Sequence, residues 1–157
     1  MKRNRQSAGI LLYRRKNGRI EFFLVHHGGP FWANKDLGAW TIPKGELDED
    51  EEPLVAAIRE FEEETGKKLT GSFQELIPII QKAGKMVYAW ASEDDIDPAS
   101  IQSNTYKIEW PPKSGKWQSY PEVDKAGWFA MEEAKEKINA AQIPFIDELA
   151  EKLNNPN

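Results

Sequence analysis

Residues 45–66, GELDEDEEPLVAAIREFEEETG, constrain this chain more than any other stretch. From Pro53 onward, Leu54, Ile58, Phe61 and Thr65 recur at the spacing of a core-facing helical stripe, while Glu60, Glu63 and Glu64 fall on a different face. Residues three and four apart on a helix are neighbours, so these carboxylates converge, and their mutual repulsion is costly without a cation. Carboxylate oxygens are hard ligands, suited to Mg²⁺ or Mn²⁺. An acidic helix alone reads as a solvated face, as residues 46–52 do by themselves. Arg59 set before the acidic triad, and the glycines that bracket it, distinguish this one.

The chain has 157 residues, enough for one ordinary domain, so a single domain over 1–157 is expected. Six Trp, seven Phe and four Tyr give it ample material for a core. A net charge of −5 argues against a nucleic-acid polymer as the main partner, because phosphate neutralisation needs a basic surface. There is no cysteine, hence no disulfide framework, which fits a reducing compartment and makes the cytoplasm the expected location. The basic start MKRNRQSAGILLYRR has an apolar run too short for a signal-peptide core, and no later stretch is long enough to span a bilayer. A membrane partner is therefore not expected; the sequence sets no oligomeric state.

Two strands are expected at 7–15 and 20–27 around the turn Lys16-Asn17-Gly18-Arg19, where Asn-Gly is a favoured hairpin signal. Residues 39–42 read as a short strand that Pro43 ends before the acidic segment. Strands at 72–81 and 85–92, joined at 82–84, come after the helix, with Pro78 pointing to an edge or a bulge. Residues 93–119, interrupted by Pro98, Pro111 and Pro112, read as a long loop with one short strand near 106–110. A last strand at 127–130 precedes helices at 131–139 and 143–153, the second with Pro144 in its first turn, and 154–157 are expected to fray. This order suggests an α/β fold with a mixed sheet packed between helices.

Gly45, Glu51, Arg59, Glu60, Glu63, Glu64 and Gly66 stand at the offsets of a Nudix box, with Phe61 in its first apolar slot. The stretch thus resembles the Nudix hydrolase family. One position departs from the pattern: Lys67 fills the final slot, usually aliphatic, and Leu69 is expected to take over its packing role. The resemblance extends over about residues 7–140 and implies an α/β/α sandwich.

It also implies hydrolysis, with divalent metal, of a nucleoside diphosphate linked to another group, so a small nucleotide is the expected partner. Glu63 and Glu64 are the first metal ligands by analogy, with the Gly45 carbonyl as a backbone ligand from a loop. Glu60 is expected to bind metal or accept a proton, and Arg59 to hold a carboxylate of its own turn by bidentate bonds and keep it ionised. Glu51 is expected to anchor or complete the site. Lys44 is a candidate to neutralise a phosphate oxygen, or else an exposed lysine.

Outside the box, Glu122 is the candidate general base or extra ligand, with Asp124 as its backup. His26 and His27 read as strand-end residues without a catalytic role. Among Phe31, Trp32, Trp40, Tyr88 and Trp90, the resemblance favours Trp40 and Tyr88 for stacking a nucleobase. The entry WTIPKGE and the segment KMVYAW look similar to the diadenosine tetraphosphatase and MutT-like branches. Cleavage of a dinucleoside polyphosphate is the favoured reading. Cleavage of a damaged nucleoside triphosphate is the alternative, and a non-catalytic nucleotide-binding module is the other class, against which the intact acidic set argues.

Overall fold

In the computed structural model, which describes residues 5–154, the turn at Asn17 and Gly18 has both residues at positive φ (53° and 76°). Asn-Gly tolerates that backbone, and it folds β1 (Gln6–Lys16) antiparallel onto β2 (Arg19–His27). The short β3 (Trp40–Thr41) adds to β2. After Pro43 the chain pairs again as β4 (Lys44–Glu46) on β1, with Ala8 opposite Gly45. Gly45 therefore sits in a strand, not in the loop expected. α1 (Pro53–Thr65) begins with Pro53, whose missing N–H costs nothing there, and ends at left-handed Gly66, which donates to the Glu62 carbonyl at 2.7 Å.

The expected strand at 72–81 is broken into β5 (Gln74–Glu75) and β6 (Ile79–Gln81), both antiparallel to β7 (Lys85–Glu93). Pro78 has no N–H to donate, and the Ile77 N–H turns away to the Glu148 side chain at 2.8 Å. β7 runs parallel to β1, which makes the sheet mixed.

The expected loop at 93–119 holds more order than its prolines imply. β8 (Thr105–Glu109) pairs with β9 (Trp117–Pro121) as a separate two-stranded sheet. β10 (Val123–Ala130) starts four residues before the position expected, with a bulge between Val123 and Lys125 that disguises the alternation. α2 (Met131–Lys137) stops short of residue 139 because Ile138 bridges to Trp40 and the Asn139 N–H donates to the Trp40 carbonyl at 2.8 Å. α3 (Ile143–Asn154) completes the described chain, and the fraying expected at 155–157 lies outside it.

The main sheet has the order β10-β2-β1-β7-β5, and alternation along its strands divides the core into two layers. Leu11, Phe22 and Leu24 face α2 and α3, meeting Ala134, Phe145, Ile146 and Leu149. Ile10, Leu12, Phe23 and Val25 face α1, meeting Ala56, Ala57 and Phe61. The result is the α/β/α sandwich expected.

The buried face of α1 is rotated from the one read in the sequence. Glu60 and Glu64 are buried beside Phe61, whereas Leu54 and Ile58 are half-buried. Leu69 is buried in the α1-side core, and the Lys67 ammonium donates to the Asp95 carbonyl at 2.7 Å. Among the described residues, no helix is long and apolar enough to cross a membrane.

Gln142, 1% exposed, ties the start of α3 to the strand leading into the acidic segment. Its Oε1 accepts from the Ile42 N–H at 3.1 Å and its amide nitrogen bonds Thr41 Oγ1 at 2.9 Å. In Gln142→Leu the buried Ile42 N–H loses its acceptor, so urea denaturation should show about 1–3 kcal/mol less stability. An unchanged midpoint and slope would remove Gln142 from this account.

Candidate functional site

β4 runs so close to α1 that a Cβ on Gly45 would overlap the Glu60 carboxylate. The Glu60 carboxylate fills the space that the missing side chain at Gly45 leaves, which explains how a helical carboxylate comes to be buried. Arg59 ties the segment before α1 to the helix. Its Nε and Nη2 donate to the two Glu51 oxygens, both at 2.9 Å, and Nη2 also donates to the Glu46 carbonyl at 3.1 Å. Nη1 donates to Glu60 at 2.8 Å and to both Glu63 oxygens at 3.1 Å. The bidentate partner is thus Glu51 from the preceding loop, not a carboxylate of the same turn. Glu51 in turn accepts from the Asp48 N–H at 2.9 Å.

Arg59 does not hold Glu60 in the ordinary carboxylate range. Burial raises Glu60 to about 7, and the charges of Glu63 and Glu122 add to burial against the guanidinium. Glu64 is pushed well above its usual value by burial first, then by Glu60 and Glu122; Lys44 opposes this through its charge and its backbone N–H. Glu122 is raised by burial and by Glu63. Lys44 is itself pulled down, chiefly by burial and then by Lys85, so it is not the exposed lysine of the simpler reading.

Several hard oxygens therefore crowd one partly desolvated space, with Arg59 and Lys44 offsetting their repulsion only in part, a donor set that fits a divalent cation. Among the described residues, no three acidic or histidine side chains already enclose an ion, and Arg59 occupies oxygens of both Glu60 and Glu63.

Beside this cluster opens a cleft of about 500 Å³ lined by His27, Phe31, Trp32, Glu64, Tyr106 and Glu122. Glu64 and Glu122, 58 positions apart, meet there. Trp40 does not. It is 6% exposed on the α2–α3 side of the sheet, edge-on to Phe129, and its indole N–H donates to Asp36 at 2.8 Å. The stacking role expected for it is corrected: strand alternation points Trp40 away from α1.

Tyr88 lies on the α1 side, half-buried, with its hydroxyl accepting from Gln6 at 3.3 Å, and it is not among the cleft-lining residues. Phe31 and Trp32, passed over in the sequence, line the cleft instead. Tyr106 was missed; the Tyr106 and Ile108 alternation in β8 was its available signal.

The adjacent histidines separate by the same alternation. His26 is fully buried, with Nδ1 2.8 Å from an Asp124 oxygen and Nε2 2.6 Å from the Lys35 carbonyl, so Asp124 is engaged away from the backup role expected for it. His27 faces the cleft, where burial and the charge of Lys44 lower it to about 4.

A histidine lowered in the folded state binds its proton more readily when unfolded, so it stabilises fully above its unfolded value of about 6.5 and progressively less as pH falls toward 4. His27→Gln should remove this loss. Unfolding free energies of variant and wild type, compared between pH 7 and pH 4, should diverge in favour of the variant by on the order of 3 kcal/mol at the acid end. Parallel pH profiles would contradict the environment described for His27.

A family model described as NUDIX domain matches residues 3–149. The asymmetrical bis(5'-nucleosyl)-tetraphosphatase of Rattus norvegicus is 33% identical over 100 residues, covering 56% of this chain and 64% of that relative. The match thus spans less than two thirds of the relative's length. The crystal structure of a Caenorhabditis elegans Ap4A hydrolase binary complex superposes with a TM-score of 0.71 over 95% of this chain and 98% of that one, at 23% identity. The NUDIX domain of Shewanella oneidensis NrtR, solved with ADP ribose, gives 0.67 over 98% and 90%, at 17% identity. These two likenesses are likenesses of fold.

Proposed function

The chain belongs to the NUDIX domain family, and from there we propose that it hydrolyses a diphosphate linkage in a small nucleotide, with a dinucleoside polyphosphate as the favoured substrate. The observation that carries this reading is the meeting of Glu60, Glu64 and Glu122 in desolvated space beside an open cleft. The name of the rat relative supports the substrate class.

The Glu60 and Glu64 carboxylates, with Glu63 and the Gly45 carbonyl, are the groups that would hold Mg²⁺, or Mn²⁺ in its place. Bound there, the cation supplies Lewis acidity toward the phosphate oxygens. Arg59 keeps the loop carrying Glu51 fixed against the helix, so the ligand carboxylates keep their places. Lys44, half-buried near Glu60 and Glu64, meets a phosphate oxygen as a point charge.

Glu122, raised by burial, is a stronger base than an exposed carboxylate. It accepts the proton of the water that attacks phosphorus, and the phosphate on the far side of the broken P–O bond leaves. A cysteine-free chain supports the cytoplasm as the place of reaction.

Phosphate-resolved product analysis with Mg²⁺ tests this reading on dinucleoside polyphosphates, nucleoside triphosphates, ADP-ribose and coenzyme A. Cleavage of a dinucleoside polyphosphate, reduced by on the order of 100-fold or more in Glu63→Gln and in Gly45→Ala with the fold intact, is the expected outcome. Cleavage of triphosphates alone would replace the substrate class. Near-normal turnover in Glu63→Gln would end the ligand assignment.

A further inference from the structure

His26 is a buried titratable group that the hydrolytic reading leaves unused. Both of its ring nitrogens meet acceptors: Nδ1 lies 2.8 Å from an Asp124 carboxylate oxygen and Nε2 lies 2.6 Å from the Lys35 carbonyl. A neutral imidazole has one N–H and one bare nitrogen, so one of these buried contacts would set lone pair against lone pair. Two donors are needed, and the imidazolium supplies them. Both contacts are also short, as hydrogen bonds from an ionised donor are. Placing the extra proton on Asp124 instead is disfavoured, since imidazole is the stronger base and that carboxylate is 34% exposed to water.

The other charged groups nearby are engaged elsewhere, which leaves Asp124 as the counter-ion. In the loop of residues 28–38, the Lys35 ammonium lies 3.4 Å from the Phe31 ring centre, and Asp36 accepts from the Trp40 indole and pairs with Lys137 of α2. On β10, opposite His26, the Lys125 ammonium lies 5.6 Å from the Trp40 ring centre. Trp40 of β3 meets the His26 ring at 5.3 Å in a T-shaped contact. His27 faces the cleft, where burial, Lys44 and then the charge of His26 lower it to about 4 and keep it neutral at pH 7.

The two acceptors of His26 belong to two segments that furnish the cleft. Lys35 lies in the loop that carries Phe31 and Trp32, and Asp124 lies two residues beyond Glu122. That loop is tied to the Glu122 segment at its start by the Gly28 N–H, which donates to the Glu122 carbonyl at 2.9 Å, and again at Lys35 through the His26 ring.

We propose that His26 is an imidazolium and a positioning residue, its two N–H groups holding the segment of Glu122 and the loop of Phe31 and Trp32 in fixed relation across the cleft. A neutral ring would hold one segment and release the other. The positioning role rests on the acidic cluster being the hydrolytic centre; the charge on the ring does not.

The chain has two histidines, so ring ¹⁵N spectra of the ligand-free protein labelled at histidine give two simple patterns. At pH 7 one histidine should carry protons on both ring nitrogens and the other on one, and His27→Gln should remove the singly protonated pattern. A singly protonated His26 would overturn the proposal. Two variants then separate the bonds, because the side-chain nitrogen of Asn stands where Nδ1 does and that of Gln where Nε2 does. Amide hydrogen exchange should quicken about tenfold over residues 28–38 in His26→Asn, which keeps the Asp124 bond, and over 122–126 in His26→Gln, which keeps the Lys35 bond. Exchange unchanged in both folded variants would show that the ring braces neither segment.

With diadenosine tetraphosphate and Mg²⁺, His26→Asn should raise KM more than it lowers kcat, and His26→Gln should lower kcat about tenfold by displacing Glu122. If wild type cleaves the tetraphosphate and both folded variants keep its KM and kcat, the positioning role is wrong and the hydrolytic reading stands. If wild type does not cleave it, the hydrolytic reading for this substrate fails. The spectrum and the exchange rates then decide alone whether the ring is charged and whether it braces the two segments.

Discussion

Glu60 lies against a strand that has no side chain at the point of contact, and the rest of the site depends on that approach. Gly45 lets α1 settle close enough to the sheet to take carboxylates out of water. Desolvation then opposes their ionised forms, and the neighbouring charges of Glu63, Glu60 and Glu122 add to it. Arg59 is the nearest cation, but its geometry is divided: two nitrogens serve Glu51 and one serves Glu60 and Glu63. It holds the preceding loop to the helix more than it neutralises the cluster. Burying these carboxylates is a cost to the fold, which the cation of the proposed function would offset.

Strand alternation decides what else reaches the cluster. In β2, Phe22, Leu24 and His26 face α2 and α3, while Phe23, Val25 and His27 face α1 and the cleft. One histidine therefore braces the loop at Lys35 and the β10 bulge at Asp124, and its neighbour supports Trp32. The bulge matters because it sets Asp124 toward His26 while Glu122, two residues earlier, lines the cleft. Two acidic residues that look interchangeable in sequence thus do different work.

The box was legible because its information is local: fixed offsets on a helix place Glu60, Glu63 and Glu64 on adjoining turns whatever the rest of the chain does. The sandwich was legible for a related reason, since alternation in β1 and β2 and periodicity in the helices survive in one dimension. What failed was non-local. The buried face of α1 could not be read because the room for Glu60 comes from Gly45 on the neighbouring β4, a packing that helix spacing does not show. Trp40 was misplaced because a two-residue strand carries too little alternation to show which layer it joins. Tyr106 and β9 were hidden because pairing along the hairpin, not hydropathy, orders a polar segment such as Trp117 to Pro121. The bidentate Glu51–Arg59 pair likewise closes a loop of eight positions that helix spacing does not describe.

The most direct measurement of the central claim is a crystal structure of the protein grown with Mn²⁺, read by its anomalous signal. The account predicts a peak touched by carboxylate oxygens of Glu60, Glu63 and Glu64 and by the Gly45 carbonyl, with Glu51 still paired to Arg59. A peak elsewhere, or none with these carboxylates left facing one another, would contradict it.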